Sequence, residues 1–192
     1  MGKIVVSSNV SLDGVVEDPD GQDGFKQGGW FKQFVGNDFE AWAENETEET
    51  LRAEVMLLGR KSEAWFAART PGRTEPWAER MTSLPKYVVS TTLEKPQWTN
   101  ATLLRDVEDV SRLKQDVRGE ILVYGSYQLV RTLMEHRLVD EFRLNVFPVV
   151  IGAGERLFRE TADKTPLRLV GSRTLGQGLL SVTYEVVRAV SG

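Results

Sequence analysis

The chain has 192 residues, 41% of them hydrophobic and 27% charged, with no cysteine, one histidine and a formal net charge of -4. That length suits a single domain, 1–192, with a real core, and the missing cysteines exclude disulfides, thiolate nucleophiles and Cys-ligated zinc or iron–sulfur clusters. The mild acidic balance and the lack of a basic stripe argue against nucleic acid, and the lone His136 leaves little room for a Ser/His triad.

Met1-Gly2-Lys3-Ile4-Val5-Val6 turns polar at Ser7, so no secretory leader is expected, and no apolar run nears the ~20 residues of a membrane span. The expectation is a soluble cytoplasmic protein without a membrane partner. Ile4-Val5-Val6 reads as a strand buried on both faces, followed by a polar Gly/Asp-rich stretch from Asp13 to Gly29. Asp38 is placed to cap a helix with Phe39, Trp42 and Ala43 on its inner face, ending near Leu51. Val55 to Leu58 is a second buried strand. Ser62 is an N-cap candidate for a short helix stopping before Pro71, and Thr74 with Pro76 opens another, closed by Pro85.

Tyr87 to Val89 and Ala101 to Leu104 are further strands. Asp106 caps a helix carrying Val107, Val110, Lys114 and Val117 on one face. Ile121 to Tyr124 is the fifth strand, and Ser126 caps a helix with Leu129, Val130 and Leu133 inward. The last third changes character: Phe142, Leu144 and Val146 alternate with polar residues, as do Leu180, Val182, Tyr184 and Val186, and Gly176-Gln177-Gly178 suits a hairpin. The fold class expected is therefore α/β, a mainly parallel body finishing in antiparallel strands.

Three buried strands end in small polar residues that open a helix or turn: Gly59-Arg60-Lys61-Ser62, Ser90-Thr91-Thr92 and Gly125-Ser126-Tyr127. Ligands of open α/β sheets bind beyond the carboxyl ends of strands, where helix N-termini offer N–H groups to phosphates. Each corner is either a plain strand-to-helix turn or part of a nucleotide site, and three together favour the nucleotide. Asp18, Asp20 and Asp23 lack the glycine and acid spacing of a calcium loop and read as a solvated acidic loop. No metal site is expected.

In ordered blocks along nearly the whole chain, the sequence resembles the dihydrofolate reductase-like family that includes the reductase domain of bacterial riboflavin biosynthesis. The blocks are Val10-Ser11-Leu12-Asp13-Gly14, Leu58-Gly59-Arg60-Lys61-Ser62 with Trp65, and Lys86 to Leu93. The longest runs from Val123-Tyr124-Gly125-Ser126 through Leu138 to Phe142 and on to Gly152 and Phe158. The resemblance implies a homodimeric NADPH-dependent reductase acting on a C=N or C=O bond of a small molecule, a heterocycle included.

By the same resemblance, Gly59, Arg60, Lys61, Ser62, Ser90, Thr91 and Thr92 would hold the adenosine phosphates. Gly125, Ser126 and Tyr127 would meet the pyrophosphate, while Asn9, Val10, Asp13 and Gly14 would border the nicotinamide. Many relatives have an arginine where this chain has Thr91, which leaves the 2′-phosphate to Arg60, Lys61 and hydroxyls. Folate reduction is not expected, because no acid in Phe39 to Glu44 aligns with the pterin carboxylate, and a zinc deaminase is excluded by the absent cysteines.

Other residues keep two readings. Asp13 is either a turn residue or the catalytic group that orients substrate and relays a proton, itself or through water. Glu141 is an inward carboxylate that meets substrate or a strand-edge charge. Trp30, Phe31 and Phe34 form an aromatic lid on the substrate or belong to the core. The competing function is a non-catalytic nucleotide- or ligand-binding module on the same fold.

Overall fold

A computed structural model describes residues 1–160 and 163–188. The elements are β1 (Lys3–Ser11), α1 (Trp30–Val35), α2 (Phe39–Arg52), β2 (Ala53–Gly59), α3 (Arg60–Arg69), α4 (Pro76–Ser83), β3 (Lys86–Val89) and β4 (Ala101–Leu104). They continue with α5 (Val107–Asp116), β5 (Glu120–Tyr124), α6 (Tyr127–Glu135), β6 (Glu141–Phe147), β7 (Leu167–Leu175) and β8 (Leu179–Val186). Among the described residues, strand pairing follows the order β4-β3-β2-β5-β1-β6-β8-β7. The β2–β3, β3–β4 and β2–β5 pairs are parallel, while β6–β8 and β7–β8 are antiparallel. This is the α/β architecture expected from the sequence. No described helix is long and apolar enough to cross a membrane.

The chain divides into two compact units, one of Met1–Val6 with Ala43–Val139, the other of Ser7–Trp42 with the chain from Asp140 on. In the first unit, parallel strands read as unbroken apolar runs because both faces are buried. Met56, Leu58, Leu122 and Tyr124 pack with Met81, Leu84 and Trp98, and Phe66 lies against them, stacked 5.8 Å from Trp98. Each such side chain contributes roughly 1.5–3 kcal/mol on burial. Pro76 sits at the start of α4 as expected, and Asp106 caps α5 by accepting the Asp109 N–H at 2.8 Å.

Two sequence expectations need correction here. Helix α2 does not turn Phe39 inward: Phe39 is 53% exposed, and the buried residues are Asn45, Glu46, Glu49 and Thr50. Polar side chains occupy that face because they find partners there, as when Thr50 donates to the Glu46 carbonyl and the latter also receives the Tyr124 hydroxyl at 3.2 Å. Burial, then the Glu46 and Glu49 charges, push the Tyr124 phenol well above its usual range. Ser62 is not a helix cap either: α3 begins at Arg60 with Gly59 as the N-cap residue.

In the second unit, Trp30, Val35, Phe147, Leu175 and Leu179 form a core, with the Trp30 ring edge-on to Phe147 at 5.3 Å. The polar alternates of β6 are buried with the apolar ones, so that strand is not half-solvated. Glu141 and Arg143 pair at 2.7 Å on one side of it, and Asn145 reaches the Asn9 side-chain oxygen at 3.4 Å. The β7–β8 hairpin turns at Gly176, whose φ of 63° suits glycine. The Asp38 carboxylate accepts the Gln177 and Gly178 N–H groups at 2.8 and 2.7 Å, so Asp38 fixes this hairpin.

Candidate functional site

On the first unit the three corners are brought together. Gly59 is in register with Val89 across β2–β3, and Leu57 is in register with Val123 across β2–β5. The carboxyl ends of three neighbouring parallel strands therefore stop level, one strand spacing (~4.8 Å) apart. The two glycine corners are also tied to each other. The Gly59 N–H donates to Ser126 Oγ at 2.9 Å, and the Ser126 N–H donates to Ser62 Oγ at 3.0 Å.

The local conformations explain the residue choice. Gly125 and Ser126 both have φ of 55°, two consecutive left-handed residues at the start of α6. Glycine enters that region without cost, whereas serine does so against ~1–2 kcal/mol of strain. The pair of hydrogen bonds at Ser126 offsets it. A Cβ on Gly125 would sit 3.2 Å from Ser62 Oγ, so the corner is also tight.

Each serine oxygen accepts a backbone N–H, which leaves its own hydroxyl proton available to donate. With the first-turn N–H groups of α3 and α6, these hydroxyls make a donor-rich rim of the kind that holds a diphosphate. Arg60 and Lys61 are exposed on the first turn of α3. At the third corner, Ser90 Oγ accepts the Thr92 and Leu93 N–H groups at 3.3 and 3.0 Å, which closes a tight turn presenting Thr91 and Thr92 to solvent. The residues present thus fit an adenosine diphosphate.

Sequence reasoning missed Arg105, the residue after β4. Its Nη1 donates to the Ser90 carbonyl at 3.1 Å and the Leu93 carbonyl at 2.7 Å, so it brackets the same turn from the next strand. Nothing in its local sequence separates it from any exposed arginine before a helix cap; only the parallel β3–β4 register brings it there.

On the second unit, Asp13 follows β1 and is heavily engaged. Oδ1 accepts the Ser11 hydroxyl at 2.7 Å and the Ile151 N–H at 3.0 Å; Oδ2 accepts the Gly152 N–H at 2.9 Å and lies 3.5 Å from the Arg156 guanidinium. Burial pushes its carboxyl up, but the hydrogen bonds from Ser11, Ile151 and Gly152 outweigh it and bring the pKa to about 2. Asp13 is an ionised acceptor that clamps the 151–152 loop. Gly14, at φ of 81°, makes the turn after it, and Val10 is buried in β1. The Asn9 side-chain oxygen accepts the Trp42 indole N–H at 2.9 Å, which fixes the amide's orientation and turns its NH2 group the other way.

Trp30 and Phe34 meet at one cleft of about 300 Å³, together with Lys26, Gln27, Gln33 and Ile151. Trp30, 1% exposed, is core and forms the cleft floor, so it is not a lid; Phe34, 38% exposed, stands on the wall. Glu141 does not line this cleft: it is buried against Arg143 in β6. Asp18 is likewise not solvated. Only 4% exposed, it accepts the Gln22, Asp23 and Phe25 N–H groups and so shapes the loop that carries Lys26 and Gln27. Burial raises its pKa, but those N–H groups hold it below the usual carboxylate range.

Comparison with known proteins agrees with this architecture. The chain is 32% identical over 139 residues to the uncharacterized protein YyaP of Bacillus subtilis (strain 168), covering 69% of this chain and 73% of YyaP. It is 30% identical over 190 residues to YwjB of the same organism, covering 97% and 98%. A solved structure of a putative riboflavin biosynthesis protein from Shewanella sp. PV-4 shares the fold at a TM-score of 0.70 and 20% identity, covering 97% of this chain and 99% of that one. Dihydrofolate reductase from Enterococcus faecalis, complexed with NADP(H), does so at 0.61 and 13% identity, covering 96% of each. The RibD C-terminal domain family matches residues 2–181, and the chain belongs to that family.

Proposed function

We propose that this protein is an NADPH-dependent reductase that delivers hydride to a C=N or C=O bond of a small molecule. The observation that carries the reading is the interlock of Gly59 and Ser62 with Ser126 at the carboxyl ends of adjacent parallel strands. Gly59, Ser62, Gly125, Ser126 and Tyr127 hold the pyrophosphate, with Arg60 and Lys61 neutralising its charge and Ser90, Thr91 and Thr92 beside the adenosine. Asn9, Val10 and Gly14 keep the nicotinamide-side assignment implied by the resemblance. The bound nicotinamide supplies the hydride.

The protein's part is to bind and orient. At neutral pH Asp13 has no proton of its own to give, so solvent water delivers the proton while Asp13 fixes the loop at Ile151 and Gly152. Phe34, with Lys26 and Gln33, lines the acceptor cleft. That saturated carboxylate is also what favours the second reading, a binding module without turnover.

Titration with NADPH, followed by quenching of the five tryptophans, decides between the readings. A reductase binds NADPH with a dissociation constant of about 1–100 µM and consumes it with some member of a panel of imines and carbonyls. Binding without oxidation across the panel selects the module; absence of binding removes both.

A further inference from the structure

We propose that the cleft on α1 is a site for a planar aromatic monocarboxylate, and that the reductase proposed above draws its carbonyl or imine substrate from that class. The second clause rests on the reductase reading; binding of the acid at the cleft does not.

The cleft is built largely by residues close in the chain. Lys26 and Gln27 are the central pair of a turn closed by the Gly28 N–H on the Phe25 carbonyl at 2.9 Å. Both sides of that turn are tied to Asp18. The Phe25 N–H donates to its carboxylate at 3.0 Å, and the Gly29 N–H to its carbonyl at 2.9 Å. The turn is therefore held before a ligand arrives, and binding requires little further ordering. The next residues form α1, which sets Trp30 and Phe34 one helical turn apart on the same face. The Trp30 indole N–H is committed to the Glu17 carbonyl at 3.0 Å, so the floor it forms offers only ring surface. Phe34 stands beside it with its ring partly exposed, and a flat ring packs well against two such surfaces.

The charge in the cleft is one-sided. Among the described residues, Lys26 makes no ion pair or side-chain hydrogen bond, and no acid lines the cleft with it. The Asp18 carboxylate is committed to the Gln22, Asp23 and Phe25 N–H groups, and that of Glu17 to the Glu155 N–H at 2.8 Å. One unpaired cation matches a single carboxylate, whereas a phosphate dianion would bring a second charge with no partner. The Gln27 and Gln33 carboxamides likewise make no hydrogen bond among the described residues. Each can donate and accept toward ring nitrogens or carbonyls. The volume of about 300 Å³ is at the lower end for small-molecule sites and suits one or two rings.

Three aldehydes separate the elements of the site: 4-formylbenzoate, its methyl ester, which lacks the charge, and glyoxylate, which lacks the ring. Each is titrated by calorimetry, without NADPH, into the native protein and into Lys26→Gln, Phe34→Ala and Lys32→Gln. The native protein should bind 4-formylbenzoate at least about fivefold tighter than either comparison probe. Lys26→Gln should erase the advantage over the ester and leave ester binding within about twofold. Phe34→Ala should weaken acid and ester by a common factor of about three to ten. Lys32→Gln removes a charge from the same helix outside the cleft and should change nothing. With NADPH added, the acid should be reduced to 4-(hydroxymethyl)benzoate, hydride going to the formyl carbon and a solvent proton to its oxygen.

Equal binding of acid and ester by the native protein would overturn the proposal, as would an advantage that Lys32→Gln erases as fully as Lys26→Gln. So would an absence of binding by all three probes. Selective binding of the acid by a protein that reduces other carbonyls and not this one would keep the site and overturn the substrate assignment. Selective binding by a protein that does not bind NADPH would keep the site and defeat the reductase reading.

Discussion

Asp13 and Lys86 show how much a single charge depends on its partners. The Asp13 carboxyl is held near 2, below its ordinary value of 3.8, and is mostly shielded from solvent. Its contribution, about 2 kcal/mol, is fully present above pH 4 and is lost as the pH falls through 2. Asp13→Asn should lower stability by about that amount at pH 7 and flatten the acid limb of a urea-denaturation series; an unchanged limb would place the linkage elsewhere. Lys86 behaves oppositely. It is 1% exposed, with Nζ donating to the Thr82 and Leu84 carbonyls and lying 4.4 Å from the centre of the Trp98 ring. Burial brings its pKa down to about 8. The folded protein therefore releases this proton before the unfolded chain does, and stability should rise between pH 8 and 10.5 by up to about 3 kcal/mol. Lys86→Met should lack that rise, and equal slopes in the two proteins would refute it.

At the scale of elements, several cap and turn signals are legible, as are the inner faces of α5 and α6, but the inner face of α2 is not. Asp106 and Pro76 stand where their chemistry demands, and Gly176 turns the hairpin as its sequence suggested. The inner face of α2 was misread because Asn45, Glu46, Glu49 and Thr50 are polar, and only their tertiary partners make burial tolerable. Ser62 lies inside α3 and Ser126 stands at the N-cap position of α6 without a side-chain cap bond; their oxygens instead accept backbone N–H groups between the ends of β2 and β5, a long-range use that no local pattern encodes. The corner they form is testable. Gly125→Val should cost about 1–2 kcal/mol in backbone strain, and more if the Ser62 side chain cannot give way. It should also abolish NADPH binding while the circular dichroism spectrum stays native. Retained affinity would move the diphosphate away from this corner.

For the molecule as a whole, β7 is the terminal strand of the pairing order and nearly all of it is exposed, including Leu167, Leu169 and Val170. An unpaired edge of this length invites a second strand. The homodimer that the resemblance implies would use it: sedimentation should then give twice the monomer mass for the native protein and the monomer mass for Leu169→Lys. A native monomer at micromolar concentration would dismiss the dimer.

The sequence by itself determined the order of the strands and of the helices other than α1, the parallel body with its antiparallel finish, and the glycine corners of the candidate site. Those follow from short-range rules: apolar runs, caps, and turns that only certain residues can make. The tertiary structure decided which hydroxyl meets which amide, that Asp13 and Asp18 are ionised clamps and not exposed acids, and that Arg105 flanks the turn of Thr91. Each of these is a meeting of residues distant in the chain, set by strand register and by where buried charges find partners.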